Sequence, residues 1–234
     1  MKKVSEELLV RDYLIRYILE GDFFDQEKLP SENFLAEKFH TTRHTVRKVY
    51  STIEELGLLV SKQGVGRFAI KNKPEIQLAL TGVSFTQKMK EQNVPLVTKN
   101  LGVKKIEGKK LTKIHKRGLK GTIYKISRLR ELYDHPACIH HSYLSEDLFP
   151  EIKKEGKKIT SIHSYYKSKG IEGFTNSPSR LSISMPSLKE QKLLKLASLV
   201  PLLVLESELY SKEGELIEII STIYRSDLFQ YVLY

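Results

Sequence analysis

Covalent and membrane devices are scarce in this sequence. It has one cysteine, Cys138, so no internal disulfide can form, and such sparing use fits a reducing compartment. Between Ala137 and Ile139 that cysteine reads as core packing. The longest apolar run, LASLVPLLVL at 196–205, is interrupted by Pro201 and is too short to cross a bilayer. The opening MKKVSEELLVRDYLIRYILEG carries a charge every few positions, which excludes a signal-peptide core. The expectation is a soluble, cytoplasmic protein with no membrane partner. Metal-ligand sets are missing too. His140 and His141 are adjacent, so on a strand they point to opposite faces, and no carboxylate or cysteine joins them or His163 at a recognisable spacing. No metal and no cofactor is expected. No paired carboxylates and no nucleophile with its base stand at persuasive spacing, which argues against an enzyme.

Acidic residues are rare in places, and their distribution is informative. The net charge of +11 points toward nucleic acid. Residues 1–37 carry five basic against nine acidic residues, whereas 38–73 carry eight against two. Residues 74–130 then hold fourteen against three, and 131–234 hold twelve against fourteen. The lysine-rich run at 99–120 reads as a solvated face, with a second nucleic-acid patch as the alternative.

What is present begins with LPSENFLAEKFHTTRHTVRKVYSTIEELG at 29–57. A helix over about 5–20 has Leu8, Leu9, Tyr13, Ile15, Tyr17, Ile18 and Leu19 as its apolar side. Ser31 is a good cap for a short second helix, with Leu35 and Phe39 inward, and Thr42 caps a third after the tight turn HTT. In that third helix Val46, Val49, Tyr50, Ile53 and Leu56 form one apolar stripe, and Gly57 ends it. Two strand-like runs separated by QGVG follow. Two short helices joined by a tight turn make a helix-turn-helix, whose second helix enters the DNA major groove. Arg43 and Arg47 are four apart and share a face, with His44 and Lys48 in the next row. Thr41, Thr42 and Thr45 offer hydroxyls to phosphates or bases, and the glycine hairpin reads as a wing with Arg67 reaching toward DNA.

The pattern LPSE..LA..F..TR.TVRK....IE..GLL....G.G.F resembles the winged-helix domain of the GntR superfamily of bacterial transcription regulators. The resemblance implies DNA contact by Thr42, Arg43, His44, Thr45 and Arg47, and on the wing by Gln63 and Gly64. Asn33 stands where relatives usually carry an arginine that touches DNA, and His44 replaces the more usual small hydroxyl or other residue. Farther on, GVSFTQKM, ISRLRELYDHPACIHHSYL, SIHSYY and GELIEIISTIYRSDLF resemble the UTRA ligand-binding domain of the HutC branch. That likeness implies a fold similar to chorismate lyase, a mixed antiparallel sheet with flanking helices, together with an effector pocket and dimerisation. The expected fold class is therefore α+β. The expected domains are 1–71 for a winged helix-turn-helix, 72–77 for a linker, and 78–234 for effector binding and dimerisation.

Residue chemistry supports such a pocket. Arg128 and Arg130 alternate on a strand, so both point to one face, where burial is costly unless an anion meets them. The alternative is a solvent-facing basic edge, or ion pairs with Glu206, Glu208 or Glu218. Ser84 precedes a helix, so the amides of Phe85 and Thr86 suit phosphate or carboxylate, and Ser161 opens another helix alike. Ordinary capping is the alternative for both serines. Arg180 adds a candidate third cation, and Glu218 and Tyr224 are candidates for sugar hydroxyls or an amine. His140 occupies a position where many relatives have glutamate. The expected function is a DNA-binding transcriptional regulator of the repressor type, a homodimer on a palindromic operator. A small anionic effector such as a sugar phosphate would release or reorient it. The alternatives are a small-molecule enzyme with a lyase-like C-terminal domain and a nonspecific nucleic-acid packaging module.

Overall fold

The computed structural model describes residues 5–20, 27–70, 76–79 and 84–232. Its contacts divide the chain into two compact units. The first takes residues 1–74 with 186–191 and 196–200; the second takes 75–185, 192–195 and 201–234. The two short returning segments were expected with the second domain, because sequence order alone assigned them.

The first unit contains α1 (Glu6–Glu20), α2 (Glu32–Lys38), α3 (Arg43–Glu55), β1 (Leu59–Lys62) and β2 (Gly66–Ala69). In α1 the buried seam is Val10, Leu14 and Ile18, one side chain every fourth residue. Leu8, Leu9 and Leu19 lie off that seam and are exposed, contrary to the sequence expectation. Ser31 Oγ accepts from the Phe34 amide at 3.1 Å, and Thr42 Oγ1 accepts from the Thr45 amide at 3.1 Å. Each hydroxyl thus satisfies an amide that the helix start leaves unpaired. Between the helices His40 takes φ +49°, which allows α3 to restart so soon. Val46, Val49, Tyr50 and Ile53 face inward and pack with Val10, Leu14, Leu35, Leu59 and Ala69. The Tyr50 hydroxyl donates to the Pro30 carbonyl, fixing the chain where it enters α2. β1 and β2 form an antiparallel hairpin, and Leu29 donates its amide to the Arg67 carbonyl at 2.8 Å. The segment before α2 therefore braces the wing.

The second unit comprises β3 (Ile76–Ala79), α4 (Phe85–Glu91), β4 (Leu96–Lys105), α5 (Gly108–Lys116), β5 (Ile123–Leu132), β6 (His135–Ser145), α6 (Ile152–Glu155) with a 3-10 turn (Gly156–Lys158), and α7 (Ile162–Ser168). Next come β7 (Thr175–Asn176), β8 (Arg180–Ser184), α8 (Leu188–Leu194, divided between the units), β9 (Leu202–Tyr210), β10 (Leu216–Arg225) and β11 (Phe229–Val232). Seven strands make one antiparallel sheet in the order β4-β5-β6-β10-β9, with β7 and β8 both pairing β9. β5 and β6 are joined through Tyr133 and Asp134, both at positive φ, the geometry that matches strand twist in a two-residue hairpin.

One sheet face carries two apolar clusters at opposite ends. Tyr124, Ile126 and Leu144 pack with Phe149 and Tyr166, while Leu132, Cys138 and Tyr224 pack with Met89 and Phe229. A polar zone lies between them. On the other face Ile123, Tyr143 and Ile219 pack with Ile106, Ile114 and Leu119.

One reading is corrected. Ile76 and Gln77, expected in the linker, belong to β3, which pairs in parallel with β11; residues 72–75 lie outside the described residues. Within the lysine-rich run, 108–116 forms α5, whose apolar side is little more than Leu111 and Ile114, and the lysines of the run are exposed, as a solvated face requires.

Tyr50→Phe removes the donor to a part-buried carbonyl. The expected loss is about 1–2 kcal/mol in chemical denaturation; an unchanged midpoint would contradict this role for the hydroxyl.

Candidate functional site

The first candidate surface is the N-terminal half of α3 with the wing. Arg43, His44, Arg47 and Lys48 are exposed there. The side chains of Arg43 and Arg47 are 63% and 60% accessible, so neither guanidinium is packed inside. One carboxylate organises them. Glu32, the first residue of α2, accepts from Arg47 Nε at 3.2 Å and from Arg47 Nη2 at 2.9 Å. Arg67 Nη2 lies 2.9 Å from the same carboxylate, and Arg43 Nη2 lies 3.9 Å away. The hydrogen bond from Arg47, with Arg67 adding to it, holds the Glu32 carboxyl below the usual range despite partial burial. Arg67 also stacks 4.4 Å over the Tyr50 ring. The expected outward reach of Arg67 is therefore not found: it is drawn inward by a carboxylate and a ring.

The Thr42 hydroxyl is occupied as a helix cap and lies 3.0 Å from the Thr45 hydroxyl. Gln63 and Gly64 are exposed at the hairpin tip, and Gly64 sits at φ +72° with open space around it. Arg43 and His44 are thus the side chains least committed to the fold. Lys48 is tied to Glu7 at 3.0 Å.

The second candidate is a cavity of about 400 Å³ in the second unit. Strand register builds its floor. Arg128 stands opposite His140, His140 opposite Thr222, and Thr222 opposite Leu205, one row across four strands. The neighbouring row brings Ile220 opposite Ser207, and Arg130 and Tyr224 both face Cys138. Further walls come from Phe85, Thr86 and Lys88 of α4, from Ser161, Ile162 and His163 around the start of α7, and from 176–179. These side chains meet because a strand puts every second residue on one face.

The cavity is cationic and incompletely satisfied. Arg128 and Arg130 are 2% and 4% exposed. Arg128 donates to the Ser142 hydroxyl and Arg130 to the Thr98 hydroxyl, but the Nε atoms of both lack partners. Burial lowers both guanidinium pKa values, that of Arg130 to about 10, with Arg128 adding repulsion. Glu206 and Glu208, candidate neutralisers in the sequence, instead meet Arg117 at 3.7 and 2.8 Å. Glu218 accepts from the Tyr166 hydroxyl at 2.7 Å, leaves its Oε1 unpartnered, and has its pKa raised by burial. His140 Nε2 is likewise unpartnered. A buried cation without a counter-charge costs stability unless an anion joins it.

Ser84, Phe85, Thr86, Arg128, Arg130, Ser161, Glu218 and Tyr224 all line this one cavity, as the sequence reading expected of an effector site. Arg180 does not. It lies exposed on edge strand β8, opposite Glu206, and the register there leads it away from the floor. Ser84 and Ser161 are also ordinary caps, accepting from the Gln87 and Ser164 amides. Sequence reasoning missed Lys88, Asn176, Ser177, Ser207 and Thr222. Thr222 and Lys88 were accessible to it, the first two residues from Tyr224 on the same strand face and the second one helical turn after Ser84; the others required the long-range register. His141 turns to the opposite face and meets the Ser127 hydroxyl at 2.9 Å. Among the described residues no group of three or more histidine, cysteine or acidic side chains is placed to hold a metal ion.

Residues 8–68 match the family model for bacterial regulatory proteins of the gntR family, and residues 116–230 match the UTRA domain. The chain belongs to the GntR family, in the branch that carries a UTRA domain. It is a DNA-binding transcription regulator, not an enzyme. The HTH-type transcriptional repressor NagR of Bacillus subtilis is 28% identical over 96% of this chain and 92% of its own length. An arabinose metabolism transcriptional repressor from Geobacillus stearothermophilus is 32% identical over 33% of this chain and 21% of its own. Among solved structures, PhnF from Mycobacterium smegmatis superposes with a TM-score of 0.61 at 19% identity, covering 96% of this chain and 99% of that one. This GntR regulator thus shares its fold across both units. Among the described residues no helix is long and apolar enough to cross a membrane.

Two outcomes are expected. Arg130→Met, by removing a buried unpaired cation, raises the thermal midpoint of the ligand-free protein, at roughly 2–4 °C per kcal/mol recovered; a lower midpoint would mean the guanidinium is already satisfied. Glu32→Gln lowers stability at neutral pH. Because the folded-state pKa of Glu32 is depressed, its contribution is present above the ordinary carboxylate pKa and lost as pH falls through the lowered one. Denaturation midpoints of the two proteins should therefore converge in acid.

Proposed function

We propose that this regulator is a cytoplasmic homodimeric repressor, released from a palindromic operator by a small anionic effector, a phosphorylated sugar being the best-fitting class. Residues 1–71 form the DNA-binding head in this reading, and 78–234 the effector-binding and dimerisation domain. Arg43 and His44 read base edges while Thr42, Thr45 and Arg47 contact the backbone or neighbouring bases, with Gln63 and Gly64 at the wing. Two heads on one dimer meet successive major-groove half-sites. The names of NagR and of the arabinose metabolism relative support repression.

One observation carries the effector class: two buried arginines, with no carboxylate among the described residues at ion-pair distance, line a partly open cavity. About 400 Å³ suits a small metabolite. Ser207, Thr222, Asn176 and Glu218 offer the hydrogen bonds that sugar hydroxyls need. An effector that weakens operator binding must itself be weakened by operator, by the same factor.

The test selects bound sequences from a random DNA pool and screens phosphorylated sugars by thermal shift. Arg43→Ala is expected to weaken the selected operator roughly tenfold or more at fixed salt, and to leave the effector shift intact. Arg128→Ala should do the opposite. Normal operator affinity in the first variant refutes the placement of α3 on DNA. A persistent effector shift in the second refutes the cavity assignment.

A further inference from the structure

His140 sits at the centre of the cavity floor, with Arg128 on one neighbouring strand and Thr222 on the other. It is 8% exposed, and its Nε2 has no hydrogen-bond partner. Phe85 meets the ring edge-on at 4.9 Å and Tyr224 at 6.0 Å, so the imidazole is held in one orientation by apolar contacts. An unpaired ring nitrogen in a polar cavity is a costly arrangement for a group that serves packing alone.

We propose that His140 is the proton acceptor of this site, so that entry of a dianion, such as a phosphomonoester or sulfate, draws one proton from solvent onto its imidazole while a monoanion does not. The proposal rests on the reading of the cavity as an anion site. Its physical basis is the field at the ring. The guanidiniums of Arg128 and Arg130 approach from β5, and burial together with these two cations keeps the ligand-free imidazole neutral, well below its ordinary pKa. His141 on its own strand adds a smaller repulsion. The remaining titratable groups near the floor are Cys138 on β6, Tyr224 and Glu218 on β10, His163 and Tyr166 on α7, and Lys88 on α4. A dianion beside the arginines cancels their repulsion, and its charge next to Nε2 is set against what burial still costs the imidazolium. The protonated ring then donates from both nitrogens, and Nε2 gains a charge-assisted partner in the ligand.

The sign of the pH dependence follows. Binding raises the His140 pKa, so affinity for a dianion rises as pH falls between the bound and ligand-free values, about tenfold per unit within that window. Two other groups compete as acceptors: Glu218, whose carboxyl is also buried and partly unpartnered, and His163, which lines the same cavity and is kept neutral by burial and by Arg128.

The experiment is titration calorimetry of the full chain with inorganic sulfate in buffers of different ionisation enthalpy at neutral pH. Sulfate keeps both charges throughout, so proton uptake reports on the protein. Uptake of about one proton with sulfate and almost none with nitrate is expected. His140→Asn should still bind sulfate, more weakly, without uptake. Isotope-labelled histidine nitrogens in the parent protein provide a second readout free of any folding defect in the variant: one ring should move from imidazole to imidazolium as sulfate is added. Sulfate binding without uptake, equal uptake with nitrate, or uptake retained in His140→Asn overturns the proposal, the last by assigning the proton to Glu218 or His163. Sulfate binding that Arg130→Met leaves unchanged, or no binding at all, sinks the cavity reading itself.

Discussion

Two guanidiniums, Arg128 and Arg130, are held side by side on a buried sheet face without a carboxylate within ion-pair distance among the described residues. Most of the second unit can be understood as what is needed to tolerate that. Apolar clusters at both ends of the same face supply the burial energy, and they leave the polar row Arg128, His140 and Thr222 in the middle. Hydroxyls from Ser142 and Thr98 each take one donor, which lowers the cost without neutralising the charge. The residual positive field is what a ligand can use. Stability withheld from the ligand-free state is returned as affinity for an anion.

The head solves the reverse problem. There a single carboxylate, Glu32, faces Arg43, Arg47 and Arg67 and decides how much of each remains available. Arg47 is forked onto it, Arg67 is folded back over Tyr50, and Arg43 is held only at long range. Positive charge on this surface is therefore graded rather than uniform. Because α2, α3 and the wing all contribute to it, the cluster also fixes the three pieces against one another. The same chemistry thus appears twice: unpaired cations in the cavity await an anion, and paired cations on the head are held in place by one.

Much of this could be read from sequence, and the limits have physical causes. Helix starts at Ser31 and Thr42 were legible because a capping hydroxyl acts on an amide only three residues away. The shared face of Arg128 and Arg130 was legible because strand alternation is local. Arg67 was misjudged as reaching outward, since nothing in its neighbourhood along the chain announces Glu32 thirty-five residues earlier. Arg180 was expected in the pocket on type alone, yet it lies on edge strand β8, opposite Glu206. The parallel pairing of β3 with β11 joins residues about 150 positions apart, and four-residue strands carry too little periodicity to be recognised singly.

Sequence by itself determined the two-part organisation, the helix-turn-helix with its wing and most of the candidate anion-binding side chains, because caps, turns and alternation are short-range properties; the antiparallel character of the second unit came only as what the UTRA resemblance implied. Tertiary structure decided which cations are spent and which are free. Charge partnership depends on distances between strands and helices far apart along the chain, and only the register of β5, β6, β10 and β9 sets His140 between Arg128 and Thr222 with an unpaired nitrogen.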